Sequence, residues 1–303
     1  MENLPPTDYP RAVDLLDARD ESAAFRLERL HQPAEVFEPQ RTNYFTVIWI
    51  ESGSGAFQAN AAEHPFQADQ LLFFVPYQYL RFAPAEPLQA TVLRFHANFL
   101  CVETFHAETG CSGTLFNDPY GPPVVPLMGR ARTDVIELLE RLRREQEDRQ
   151  TAWLDACLAA MKLLLILAAR CKASPVVDAG GTGAEFRHPV MEQLRELLEQ
   201  HYRTLHAPAD YARLLHMTPK TLGRYVREHL GKTLTELIRE RILTHAKWQL
   251  LHTLKPVKEV AGEVGYQDEL YFSRLFKKAT GLSPTHFREF ETEIRGGSNL
   301  SMD

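Results

Sequence analysis

Cysteine is scarce in this chain, and long apolar runs are missing. Only four of the 303 residues are cysteine, and Cys101, Cys111, Cys157 and Cys171 form no closely spaced pairs. That spacing argues against a disulfide-stapled secreted scaffold. A reduced, cytoplasmic protein is expected, the remaining redox reading being a sensor built on Cys101 and Cys111. The most apolar stretch, residues 158–169, contains Lys162 and is shorter than the roughly 20 residues a helix needs to cross a bilayer. No membrane association is expected. Residues 1–10 lack the cationic start and apolar run of a secretory leader. Phosphate-loop chemistry is excluded as well, because Gly180-Gly181-Thr182-Gly183 is followed by no Lys-Ser/Thr and preceded by no strand.

The net charge of −6 conceals an asymmetry. Residues 186–295 hold 18 Lys plus Arg against 14 Asp plus Glu, a net of +4, which leaves −10 for the rest. A DNA-binding module joined to an acidic domain of another kind has this pattern. Length and a hydrophobic content of 44% allow two cores, and the predicted organisation is a first domain over 1–172, a linker over 173–186, a second domain over 187–295 and a tail over 296–303. The linker is read from Ser174-Pro175 and the glycine run.

Residues 1–40 are mixed and read as an arm with one short helix near 11–16. From Tyr44 the chain turns β-branched and aromatic, Tyr-Phe-Thr-Val-Ile-Trp-Ile. Strands are predicted over 44–50, 56–59, 70–75, 79–83 and 90–95, within a barrel region of about 40–100. If the barrel binds a small molecule, alternation puts Val92, Arg94 and His96 on one face and Leu93 and Phe95 on the other. Arg94 and His96 then suit an anionic group, with Trp49 or Tyr79 as an apolar wall. The plainer account makes His96 a strand-end hydrogen-bonder and Trp49 core. Two helices follow, 133–149 with a seam of Val135, Leu138, Leu139 and Leu142, and 152–171 with Leu158, Met161, Leu164, Leu165 and Ala168.

The most informative stretch is 257–288. Pro256 suits a first helical position, Val257, Val260, Ala261 and Val264 recur at helical spacing, and Gly265 can take the left-handed conformation that ends a helix. Asp268 can cap a second helix in which Phe272, Leu275 and Phe276 point inward, and Gly281 closes it. Fifty residues upstream the pattern recurs: Thr218 as cap, Pro219 as first residue, Leu222 and Val226 inward, Gly231 as stop. Two short helices at a sharp angle, the second with an outer cationic face, are what a helix-turn-helix needs to enter a major groove. Between the units, Leu234, Leu237, Ile238, Ile242, Ala246 and Leu250 recur at helical spacing. A helix of that length is about 28 Å long, against a B-DNA repeat of roughly 34 Å.

These residues resemble a known family. Gly265-Tyr266-Gln267-Asp268, Tyr271-Phe272-Ser273-Arg274-Leu275-Phe276-Lys277-Lys278, Gly281-Leu282-Ser283-Pro284 and Phe287-Arg288 are similar to the signature of AraC/XylS-type bacterial transcription regulators, over about 188–290. Asp69-Gln70-Leu71-Leu72-Phe73-Phe74-Val75-Pro76 resembles the second half of a cupin barrel, the sensory domain usual in that family. The resemblance implies an α+β multi-domain protein: an amino-terminal cupin-like β-barrel with helices, and a carboxy-terminal all-α domain of seven helices with two helix-turn-helix motifs. It further implies promoter DNA as partner, a homodimer paired through the first of the two helices after the barrel, RNA polymerase as a further partner, a small-molecule effector, and activation as the role. Metal-binding cupins cluster two His, a Glu and a further His. Here the region has no His-x-His, and Tyr79, Leu80 and Arg81 stand after Pro76, so no metal, cofactor or catalytic residue is expected. The alternatives are a catalytic cupin with an accessory DNA-binding domain and a ligand-independent DNA-binding factor.

On the first recognition helix Lys220, Arg224 and Arg227 share a face. Arg224 suits a bidentate guanine contact, while Lys220 and Thr221 lie near the end that enters the groove first. On the second helix the resemblance places Glu269, Leu270 and Ser273 near bases. Arg274, Lys277 and Lys278 suit phosphates, or Arg274 pairs internally with Glu263 or Asp268. Gly223 departs from the family, in which a longer side chain at this position often contacts a base.

Overall fold

The computed structural model describes residues 25–96, 100, 115–116, 118–173 and 189–294. The short helix near 11–16, Cys101, Cys111, residues 174–186 of the expected linker and the tail lie outside them. The contacts divide the chain into two compact units, one of Met1–Ala59, His64–Asp118 and Pro123–Ser174, the other of Asn60–Glu63, Pro119–Pro122 and Pro175–Asp303.

In the first unit, β1 (Phe25–Gln32), β7 (Leu88–Phe95), β2 (Phe45–Ser52), β5 (Gln70–Phe74) and β8 (Val124–Pro126) form one sheet in that order. A second sheet runs β4 (Ala62–Phe66), β3 (Gly55–Ala59), β6 (Leu80–Pro84). Neighbouring strands of the five-stranded sheet pair antiparallel, with Trp49 opposite Leu71 on one side and Thr91 on the other. Alternation splits each strand between two cores. Ile48, Ile50, Leu72, Phe74, Ala90 and Val92 pack with Phe57, Phe66 and Phe82 of the smaller sheet. Val47, Leu71, Phe73, Leu93 and Phe95 turn the other way, onto two helices, α1 (Gly129–Asp148) and α2 (Trp153–Ala173). Val135, Leu139 and Leu142 of α1 and Met161, Leu164, Leu165 and Ala168 of α2 are buried there, whereas Leu138 and Leu158 are only half-buried.

Three strands escape the sequence pattern. β1 falls in the stretch expected to be an arm. Its apolar alternation is interrupted by Glu28, which is nonetheless buried and held between Arg94 and Arg26. An ion pair has taken a position that sequence reasoning reserves for an apolar side chain. β4 and β8 are too short and too polar or proline-rich to stand out.

The second unit contains seven helices among its described residues: α3 (Pro189–His201), α4 (Pro208–Leu214), α5 (Pro219–Leu230), α6 (Leu234–His252), α7 (Val257–Glu263), α8 (Glu269–Thr280) and α9 (Pro284–Ile294). α6 packs against α5, α7 and α9. Thr233 caps it in a capping box with Glu236. Arg288 of α9 donates to the Leu250 carbonyl in the last turn of α6, an acceptor that the helix terminus leaves without an intrahelical partner, and to the Lys255 carbonyl in the loop that follows. Burial lowers the pKa of that guanidinium from its ordinary value. Among the described residues no helix is long and apolar enough to cross a membrane.

Candidate nucleic-acid interface

Each recognition helix is built the same way. Thr218 accepts from the Thr221 amide at 3.1 Å, and Pro219 follows as the first residue of α5. Asp268 accepts from the Leu270 and Tyr271 amides at 2.8 and 3.1 Å at the start of α8. Leu222 and Val226 in the first, Phe272 and Phe276 in the second, are fully buried. Gly231 and Gly281 end the helices with φ of 64° and 86°. Pro256 is the cap of α7 rather than its first helical residue, since its extended ψ of 150° places it outside the helix.

The turns differ by one residue. α4 and α7 are offset by 49 positions and α5 and α8 by 50. In both turns one amide returns to the preceding helix, Met217 to the Ala212 carbonyl and Tyr266 to the Ala261 carbonyl, each at 2.8 Å. The left-handed residue just before it is His216 in the first unit, at φ 54°, and Gly265 in the second, at φ 90°. Gly265 is obligatory, because a Cβ there would run into the Arg203 carbonyl and the His206 ring. His216 has room and accepts the strain of a non-glycine residue in that region.

Packing the apolar stripes inward leaves the opposite faces in solvent. Lys220, Arg224 and Arg227 are exposed on α5, and Leu270, Arg274, Lys277 and Lys278 on α8. Thr221 is half-buried and its hydroxyl lies 2.8 Å from that of Thr218, so it belongs to the cap. Glu269 and Ser273 are half-buried. Arg224 lies 3.7 Å from the Glu228 carboxylate and over the Tyr225 ring. Neither expected internal partner is taken by Arg274: Lys255 pairs with Glu263, and the Asp268 carboxylate caps α8. Sequence reasoning missed Tyr271, 45% exposed beside Leu270 at 74%. Its position 50 residues after Thr221 was the available signal.

The expected small-molecule quartet is not assembled. Arg94 shares the inter-sheet face of Val92, but its guanidinium pairs with Glu28. Burial and the nearby Arg26 charge lower its pKa to about 10. Trp49 lies on the opposite face of the sheet, against the helix-side core. Tyr79 donates to Glu38 at 3.0 Å and sits under Arg41. His96 is buried just after β7 and meets the Tyr44 ring edge-on. Strand 44–50 is apolar on both faces, and such a run does not disclose which face meets a ligand. Among the described residues no group of three His, Cys, Asp or Glu is placed to hold a metal. Burial, with Glu145 nearby, raises the Cys157 thiol to about 11.

Two capped helix pairs with cationic outer faces, set on either side of one helix, define a two-reader module for duplex nucleic acid. Residues 22–200 match the AraC-like ligand binding domain and residues 211–289 a helix-turn-helix domain. The chain belongs to the AraC family of transcription regulators. The arabinose operon regulatory protein of Salmonella typhimurium is 38% identical over 80 residues, 26% of this chain and 28% of that protein. The match thus spans little more than a quarter of that relative. The transcriptional activator RhaR of Cronobacter sakazakii is 22% identical over 263 residues, 85% of this chain and 88% of that one. Among solved structures, the carboxy-terminal domain of AraT from Geobacillus stearothermophilus is 31% identical, with 34% of this chain and 86% of that one covered and a TM-score of 0.33.

Proposed function

We propose that this chain is a cytoplasmic, promoter-binding activator whose two recognition helices enter successive major grooves on one face of the duplex. The repeated cationic face carries the reading: Arg224 and Arg227 recur fifty residues on as Arg274 and Lys277, all in solvent, while Leu270 stands exposed where the first unit has Lys220. Between them stands α6, 19 residues long and hence about 28 Å. Arg224 and Leu270 read base edges, with Glu269 and Ser273 beside them, while Arg227, Arg274, Lys277 and Lys278 hold phosphates. RNA polymerase is the second macromolecular partner of an activator. The test is selection of duplexes from a random library by the purified chain, then footprinting and transcript profiling in a deletion strain. A selected site with two protected major grooves about one helical turn apart is expected; retention of no duplex at low salt sinks the reading.

The domain boundaries that go with it are 1–172 for sensing and dimerisation and 187–295 for DNA. An effector with an anionic group fits the surplus positive charge where Arg26 and Arg94 outnumber Glu28 between the sheets. Trp49 and Tyr79 drop out of that set. A panel of small carboxylates that never shifts the melting temperature would remove it. For the homodimer, α2 suits better than α1. Several α1 charges are engaged along their own helix, as Arg130–Asp134, Arg141–Glu145 and Arg143–Glu147, and Arg132 pairs with Asp69. The outer stripe of α2 runs Asp155, Ala159, Leu163, Ile166, Arg170, with Leu163 46% exposed. Leu163→Arg is expected to give a monomer by sedimentation; an unchanged dimer would move the interface elsewhere.

A further inference from the structure

Gly223 stands in the middle of α5, where glycine is among the least favourable helix residues. Nothing among the described residues asks for it. A Cβ built there meets no atom within 4 Å, and its φ is not in the left-handed region, unlike those of Gly231, Gly265 and Gly281. Neither packing nor backbone conformation explains the residue. Its place on the helix is informative: it lies three residues after Lys220 and four before Arg227, beside the exposed cationic face, and it corresponds in the repeat to Ser273 of α8.

We propose that Gly223 is a specificity-determining close-approach point, where the backbone of the first recognition helix, bare of any side chain, seats against the floor of the major groove. The inference rests on the DNA-binding reading above. With no side chain at this position, Lys220 and Arg224 carry the base discrimination of the first unit. The helix can settle deeper than α8, whose Ser273 keeps a side chain between backbone and bases. Glycine serves the same purpose wherever a backbone must come close to a ligand. The two units then contribute unequally: the first as a deep, backbone-seated anchor, the second as a side-chain reader through Leu270, Ser273 and Glu269.

The test uses the full chain and a duplex that the wild-type protein selects from a random library. Gly223→Ala and Gly262→Ala are compared, because Gly262 on α7 is equally open but lies outside both recognition helices. Both variants are expected to melt roughly 2–4 °C higher, from better helix propensity. Gly223→Ala is expected to bind the selected duplex at least about fivefold more weakly, whereas Gly262→Ala stays within about twofold of wild type. Gly223→Ala bound as tightly as wild type, or more tightly, overturns this inference alone. Retention of no duplex by the wild type overturns the DNA reading together with it.

Discussion

The two helix-turn-helix units share a plan and differ in how each position is filled. The first has a threonine cap, a histidine forced into the left-handed turn, a glycine beside its outer face and three cations there. The second has an aspartate cap, a glycine that only glycine could replace, aromatic core residues and an exposed Leu270–Tyr271 pair. One backbone scaffold, fixed by caps and two inward residues per helix, therefore tolerates different outer faces. A chain can thus carry two readers of different chemistry without changing its fold.

The largest effects should come from the shared scaffold. Phe272→Ala removes a fully buried ring packed against Phe276 and Tyr266, and is expected to cost about 3–5 kcal/mol. Leu222→Ala in the first unit should cost about 2–5 kcal/mol. Chemical denaturation of both variants checks whether the aromatic core makes the second unit the firmer; equal losses would erase that difference.

The turns come next. Gly265→Ala combines a left-handed φ with a backbone collision and is expected to lose more than about 2 kcal/mol. His216→Gly relieves strain and should fall within about 1 kcal/mol of wild type. Thermal melts of the pair decide it, and a tolerated Gly265→Ala would mean the Arg203 carbonyl can move.

The outer faces should separate by kind of loss rather than size. Arg224→Ala is expected to cost about 1–3 kcal/mol and to blunt preference at one base pair, whereas Lys277→Ala should weaken all duplexes alike and lower the salt slope by about 1. Binding titrations at several salt concentrations, on matched and mismatched sites, distinguish the two. Identical behaviour would mean both cations touch phosphates.

The smallest effect is a pH dependence of the spacer between the units. His245 on α6 hydrogen-bonds Tyr202 at 3.0 Å. Desolvation first, then Arg203 and Arg241, lower its pKa from the ordinary 6.5. A depressed folded-state value means the unfolded chain binds the proton more tightly. The stability His245 contributes is therefore full above about pH 6.5 and is lost as pH falls toward the folded value. Melts from pH 7.5 to 5 should show this slope in the wild type and not in His245→Gln.

Much of the second unit was legible from the chain alone. Thr218, Asp268, Gly231, Gly281 and the inward pairs are each tied to positions two to four residues away, so their spacing carries their geometry. The exception, Pro256 as cap instead of first residue, is a shift of one position. In the first unit, β2, β3, β5, β6 and β7 could be read from β-branched and aromatic runs bounded by turn residues, but β1 could not, because the partner that allows Glu28 to be buried is Arg94, 66 positions further on.

What the sequence determined by itself was therefore the local part: two capped helix pairs, their fifty-residue repeat and the cations on their outer faces. Tertiary structure alone decided which side of the large sheet Trp49 and Arg94 occupy, which of the α2 side chains remain in solvent, and why residue 265 must lack a Cβ. A helix closes its hydrogen bonds within four residues, whereas a strand, an ion pair or a backbone collision is completed by a partner from elsewhere in the chain.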